Sequence, residues 1–192
     1  MARTIAATLV SVLVAAVIIP ASAIWPAPRS LSTSSSALTL SPAFAIHVSV
    51  VDAPSDLHDA VSRTIQHLKD DKLERLVVGR GAVDVPAVSM AKELTSLTLE
   101  LTNGSQVRSI STEATAAIGT RDESYTLTVP SDGSGAVMTA NSTLGLLRGL
   151  ATFEQMWYFH NNVIYTIEAP VKIEDWPAYV SAPFLAATVG PR

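Results

Sequence analysis

Three short runs in this sequence alternate apolar and polar residues with a period of two, and that period is the tightest constraint on what the chain can fold into. In SLTLEL, Ser96 to Leu101, the residues Leu97, Leu99 and Leu101 fall on one side. In SYTLTVP, Tyr125, Leu127 and Val129 do the same, and in AIHVSVV, Ile46, Val48 and Val50 oppose His47 and Ser49. Successive side chains of a strand point to opposite faces, so each run predicts a strand buried on one side only. LERLVVG reads as a further short strand, AVMTA follows the turn SDGSG, and NVIYTIEAP is expected to be the closing strand. Asn103-Gly104 carries the strongest two-residue hairpin signal, with QVRSI as its returning strand.

Two segments carry the other period. In SDLHDAVSRTIQHLKD, Leu57, Val61, Ile65 and Leu68 share a helical face, with Pro54 ahead and Ser55 or Asp56 available as cap. A second helix is expected to start near Ser142 or Thr143, with Leu146, Leu150, Phe153 and Trp157 forming one stripe. Gly145 and Gly149 lie on it, each costing about 1 kcal/mol relative to alanine, which makes sense where the backbone approaches a neighbour closely. The fold class that follows is α+β: a mostly antiparallel sheet with two long helices packed on it.

Residues 1–23 are read as a secretory signal peptide. Arg3 precedes an apolar run from Ile5 to Ile19, Pro20 breaks it, and Ala21-Ser22-Ala23 supplies the small-residue cleavage pattern, with the cut between Ala23 and Ile24. The run is shorter than the roughly 20 residues that span a bilayer, so no membrane attachment is expected after cleavage. The expected location is extracellular or within the secretory route, vacuole and lysosome included. Without Arg3 the chain has 12 basic and 17 acidic residues, with no basic cluster, which argues against nucleic acid. It has no cysteine, so neither disulfides nor thiol chemistry enter. Asn103-Gly104-Ser105 and Asn141-Ser142-Thr143 are N-glycosylation sequons, which marks Asn103 and Asn141 as surface positions in a secreted chain. IWPAPRSLSTSSS, rich in proline and serine, makes residues 24–37 an extended arm rather than a packed element.

The acidic pair Asp122-Glu123 is the first place to look for an active site. Adjacent residues of a strand face opposite ways, and glycosidase carboxylates must flank the scissile bond from different sides. The pair therefore reads as a strand entrance or an acid anchoring a local hydrogen bond, and Glu174-Asp175 likewise. His58 and His67 face opposite sides of one helix, His47 and His160 stand apart, and no H-E-x-x-H occurs, so no metal site is expected. There is no G-x-S-x-G, and Gly133-Ser134-Gly135 is a turn rather than a phosphate loop. Phe153, Trp157, Tyr158 and Phe159 fit a core better than a sugar platform. No catalytic residue, cofactor site or metal ligand emerges from the residues themselves.

Four motifs in order carry a resemblance: Trp25-Pro26-Ala27-Pro28, Asp122 to Leu127 (DESYTL), Arg148 to Phe153 (RGLATF), and Ile173, Asp175 and Pro177. The chain resembles the N-terminal, non-catalytic domain of eukaryotic β-N-acetylhexosaminidases, glycoside hydrolase family 20, over residues 24–179. The resemblance implies an accessory domain whose partner is a catalytic (β/α)₈ barrel, and a family activity on terminal N-acetylhexosamine residues of glycans. In that family the working Asp-Glu pair lies in the barrel, so Asp122-Glu123 is a look-alike. Residues 180–192, VSAPFLAATVGPR, depart from the family pattern, with no Arg-Gly pair and no room for a fold of about 250 residues. The expectation is a chain that stops before the barrel and is inactive alone. The alternatives are a fragment of an active hexosaminidase and a separate carbohydrate-binding or regulatory module.

Overall fold

The computed structural model describes residues 24–102, 104–117 and 119–176. Eight strands form one sheet: β1 (Ser30–Ser32), β2 (Ser36–Ser49), β3 (Lys92–Leu101), β4 (Tyr125–Val129), β5 (Ala136–Ala140), β6 (Tyr158–His160), β7 (Val163–Ala169) and β8 (Val171–Asp175). Their order is β1-β8-β4-β5-β3-β2-β7-β6. Only the β2–β3 and β3–β5 pairings are parallel. Four helices accompany the sheet: α1 (Ser55–Asp70), α2 (Val85–Val88), α3 (Ile110–Ala114) and α4 (Thr143–Glu154). The class is α+β as expected, but with helices of 16, 4, 5 and 12 residues rather than two long ones.

One feature of the order explains the shape. Pro170 alone separates β7 from β8, and three residues separate β1 from β2. The pairs Ser30↔Glu174, Ser32↔Lys172, Ser36↔Ala169 and Thr39↔Tyr165 are therefore one antiparallel ribbon made by the two ends of the domain. Ser34 N–H, donating to Glu168 O at 3.1 Å, bridges the gap between its halves. β8 pairs with β4 on its other side and β2 with β3, so the ribbon curls the sheet round on itself.

The alternation read from the sequence is what the sheet buries. Tyr125, Leu127 and Val129 face the core from β4, while Leu97 and Leu99 are fully buried on β3 and Leu101 half-buried. Leu57, Val61 and Leu68 are buried along α1, as are Leu146, Leu150, Phe153 and Trp157 along and just past α4. The two helices pack on each other. Phe153 joins β2 to this layer by stacking on Phe44, centroids 5.8 Å apart, and meets Trp157 edge-on.

Several expectations are corrected. The 24–37 arm is largely exposed, but it is not without structure: Ile24 is buried, Ser30–Ser32 pairs as a strand, and β2 already begins at Ser36. LERLVVG is not a strand but a run of turns leading to a 3₁₀ turn at Ala82–Asp84, because Gly79, Arg80 and Gly81 all take positive φ. QVRSI does not return along β3, whose two neighbours, β2 and β5, are both parallel to it; Ile110 instead opens α3. NVIYTIEAP is followed by β8, so it does not close the sheet. Pro54 takes the N-cap position of α1 without a side-chain bond, and Asp56 accepts the Ser111 N–H at 3.0 Å instead.

Gly145 and Gly149 are where α4 meets β4 and β5. A Cβ at Gly145 would overlap the Ser124 carbonyl oxygen, a backbone atom, whereas at Gly149 it would meet the Met138 thioether, which can swing away. We expect Gly145→Ala to destabilise the domain by about 1–3 kcal/mol despite the better helix propensity of alanine. Gly149→Ala should cost less, and urea denaturation of both variants checks the order.

Candidate functional site

A cavity of about 650 Å³ opens where β2 parts from β7. The cause is local. Pro42 has no N–H to give a ladder, and between Leu40 and Ala45 five steps of β2 cover two of β3, so Ser41 to Phe44 bulge outward. The opposite wall is the β6–β7 hairpin. Asn161 and Asn162 both sit at positive φ, 48° and 62°, the backbone that a two-residue type I′ turn requires. Val85, Val88 and Ser89 of and after α2 form the third side, and Leu40, Phe44 and Ile164 supply much of the apolar lining. Lys69, Glu93 and His160 stand on the polar part of the wall.

A buried ionic network holds the loop ahead of α2 against this cavity. Asp84 is buried and accepts from Arg75 Nη1 at 2.8 Å through both oxygens; the Tyr165 hydroxyl donates to its Oδ2 at 2.8 Å. Burial works against the Arg75 charge, but the hydrogen bond and attraction of Asp84 outweigh it and raise its pKa. Burial and the neighbouring Asp84 carboxylate push the Tyr165 phenol far above its ordinary value, so it stays a donor. The guanidinium also lies 5.8 Å from the Tyr158 ring centroid. Gly81, at φ 107°, passes so close to Tyr165 that a side chain there would strike the phenol oxygen. The result is a fixed loop whose apolar side chains face outward: Leu76, Val78, Val83 and Met90 are all at least 73% exposed.

The acidic pair is elsewhere, and each member has structural partners. Asp122 accepts the Ser124 N–H at 2.9 Å, the Ser124 hydroxyl, and the Asn141 amide at 2.9 Å. Glu123 binds Arg148 Nε of α4 at 2.7 Å. The two carboxylates therefore serve different partners, as the reading of a local anchor requires. Beside them Ser142 caps α4 by accepting the Gly145 N–H at 2.9 Å and donates to the Asp122 carbonyl, while Glu113 accepts the Leu144 N–H at 2.8 Å. Asp175, of the second acidic pair, accepts the Arg29 N–H at 3.0 Å where β1 meets β8.

Of the proposed modification positions, Asn141 is exposed, but Thr143 of its sequon is buried and donates to the Arg108 carbonyl at 2.8 Å. Asn103 and Ala23 lie outside the described residues, and Ile24 is buried. His67 meets Glu154 at 3.2 Å, His58 and His47 are exposed, and His160 lines the cavity. Among the described residues no cluster of histidine and carboxylate side chains could hold a metal ion, and no helix is long and apolar enough to cross a membrane. Phe153 and Trp157 are core, as expected, while Tyr158 and Phe159 are half-buried. Sequence reasoning missed the cavity. Its signals were Pro42 inside a strand-like run and the Asn161-Asn162 pair between two strands.

The fold recurs in a chitobiase of Flavobacterium johnsoniae, a glycoside hydrolase family 20 structure, with a TM-score of 0.52 and 20% identity over 82% of this chain and 21% of that one. A family 20 exo-β-N-acetylglucosaminidase from Vibrio harveyi, in complex with N-acetylglucosamine, gives a TM-score of 0.47 and 13% identity over 84% of this chain and 21% of that one. The chain thus spans about a fifth of the length of these structures. The family described as beta-acetyl hexosaminidase like matches residues 24–156, and the chain belongs to it. No curated protein sequence matches the chain.

Burial pushes the Asp122 carboxyl up, but the hydrogen bonds from Ser124 and Asn141 outweigh it and leave its pKa below the ordinary value. A group depressed in the folded state adds stability above its unfolded pKa, about 3.9, and loses it as pH falls through the folded value. Asp122→Asn should therefore flatten the fall in melting temperature below about pH 4, while leaving the melting curve at pH 7 cooperative. Thermal melts of wild type and variant across that window check it.

Proposed function

We propose that this domain is the accessory N-terminal part of a β-N-acetylhexosaminidase of the eukaryotic type, which supports a catalytic barrel and does not itself cleave sugar. The family match over residues 24–156 carries the reading. The geometry agrees with it in two ways. Asp122 is bound by Ser124 and Asn141 and Glu123 by Arg148, so the two carboxylates are anchored to different partners and do not converge on one bond. Trp176 is 46% exposed just past β8, where the chain leaves the sheet, and Trp25 is 82% exposed ahead of β1. Arg29 lies over the Trp176 ring with 5.8 Å to its centroid and helps hold it in place, while Trp25 N–H donates at 2.7 Å to Gln155 at the C-terminal end of α4. A barrel following β8 in the same polypeptide, or supplied by another chain, would meet Trp176 first. Passage through the secretory route, with glycans at Asn103 and Asn141, belongs to the same reading.

Exposed tryptophans also favour a second reading, a module that stacks N-acetylhexosamine rings. Incubation of the full-length chain with insoluble chitin separates the two: the accessory reading expects the protein to stay in the supernatant, and the binding module requires Trp25→Ala to abolish retention. For the main reading the full-length chain should release no 4-nitrophenol from 4-nitrophenyl N-acetyl-β-D-glucosaminide. Hydrolysis by the wild type that is lost in Glu123→Gln would overturn it.

A further inference from the structure

The 650 Å³ cavity runs through the sheet, with walls on both of its faces. Cross-strand partners project to the same face. Thr39 pairs with Glu93 and with Tyr165, and the Tyr165 hydroxyl reaches Asp84 just ahead of α2, so these residues mark the α2 face. His160 pairs with Val163, two residues before Tyr165, and belongs with them. Leu40, next to Thr39, turns the other way, and Phe44 stacks on Phe153 of α4, so both mark the face that α1 and α4 cover. Residues of both sets line the one cavity. The passage exists because the β2–β7 ladder stops at Thr39↔Tyr165, although β7 itself starts at Val163.

The charges are divided between its ends. Lys69, in the last turn of α1, stands at the helix end, while Glu93 and His160 stand at the α2 end. None of these three side chains has a hydrogen-bonding or ionic partner among the described residues. The wall hydroxyls are engaged within the protein: Thr39 Oγ1 donates to the Lys92 carbonyl at 3.2 Å, Ser89 Oγ to the Pro86 carbonyl at 2.8 Å, and the Tyr165 hydroxyl to Asp84. Asn161 and Asn162 add neutral amides at the hairpin turn, and Leu40, Phe44, Val85, Val88 and Ile164 make the rest apolar. The volume lies in the range of small-molecule sites. The α2 wall is already fixed by the Arg75–Asp84–Tyr165 network, so little ordering is lost when a ligand enters. An apolar passage with an ammonium at one end and a carboxylate at the other fits an elongated apolar molecule that is anionic at one end only. Lys69 attracts that end, and Glu93 repels it from the α2 side.

We propose that this passage is a binding site for a medium-chain aliphatic carboxylate. The carboxylate rests on Lys69, and the alkyl chain runs along Leu40, Phe44 and Val88 towards α2. The site is separate from Trp176 and does not depend on the accessory role of the domain.

Isothermal titration calorimetry of the full-length chain with octanoate, and with octan-1-ol as the neutral probe of equal length, tests it. The wild type should bind one equivalent of octanoate, and octan-1-ol about tenfold more weakly. Lys69→Gln should weaken octanoate by about tenfold and leave octan-1-ol unchanged, whereas Glu93→Gln should tighten octanoate. Val88→Trp fills the passage and should abolish binding of both while the melt stays cooperative. Val85→Trp, on the same wall, serves the same purpose should Val88→Trp fail to fold. A wild type that does not take up octanoate overturns the proposal. So does uptake that survives the tryptophan variants, which would place the ligand on another apolar surface. Equal weakening of both probes by Lys69→Gln, or weaker octanoate binding in Glu93→Gln, overturns the anion recognition and the proposal with it.

Discussion

The structure depends on the pairing of its two ends. Residues 30–39 run antiparallel to residues 165–174, some 130 positions away, and this ribbon links the edges of an otherwise open sheet. β4 leans on β8 and β3 on β2, so without the ribbon β8 and β2 would be separate edges with unpaired backbone groups, a costly arrangement in a sheet with a buried face. The contacts are long in sequence and pay their loop-closure entropy late, so the local hairpin of β4 and β5 and the α1–α4 pair have to supply surface for the ends to close on. The core is continuous across this seam: Leu38, Ala169 and Val171 from the ribbon are buried with Leu97 and Phe153.

The acidic pair shows how residues that suggest chemistry are absorbed by structure. The N-terminus of α4 presents unpaired N–H groups, and Gly145 in its first turn has no room for a side chain because the Ser124 carbonyl lies against it. Ser142 and Glu113 satisfy those donors, Asp122 orders Asn141 and the Ser124 turn that Gly145 abuts, and Glu123 ties down Arg148 two turns along. The motifs DESYTL and RGLATF are thus two sides of one contact. Their joint presence in the sequence reports a helix–strand junction. Tyr125 belongs to the same junction, its hydroxyl 2.6 Å from Thr152 Oγ1 and its pKa pushed up to about 12, first by burial.

What could be read from the sequence was what is local. The strands β3, β4 and β5, the second half of β2 and the helices α1 and α4 all follow from alternation or a helical stripe, because each buries one face. β1 and β8 were missed because their partners are distant, and a three-residue strand such as Ser30–Ser32 carries no period. LERLVVG was misread because its apolar residues face solvent rather than a core, a placement that hydropathy alone reports as burial. Asn103-Gly104 suggested a hairpin, but the neighbours of β3 are parallel strands that arrive by longer routes. The cavity was invisible for a related reason: a bulge, a turn and a four-residue helix make it, and none has a sequence period. That Asp122 and Glu123 serve separate partners was legible, because adjacent residues of an extended chain point apart.

Hydrogen exchange on the native full-length chain tests the central claim, that the end-to-end ribbon holds the domain together. The account predicts that amides of residues 36–40 and 165–173 exchange as slowly as those of Leu97 and Leu99 and open with them in a single global event. Fast exchange across 165–173 while β3, α1 and α4 stay protected would contradict it, and would mean that the sheet stands without its closing ribbon.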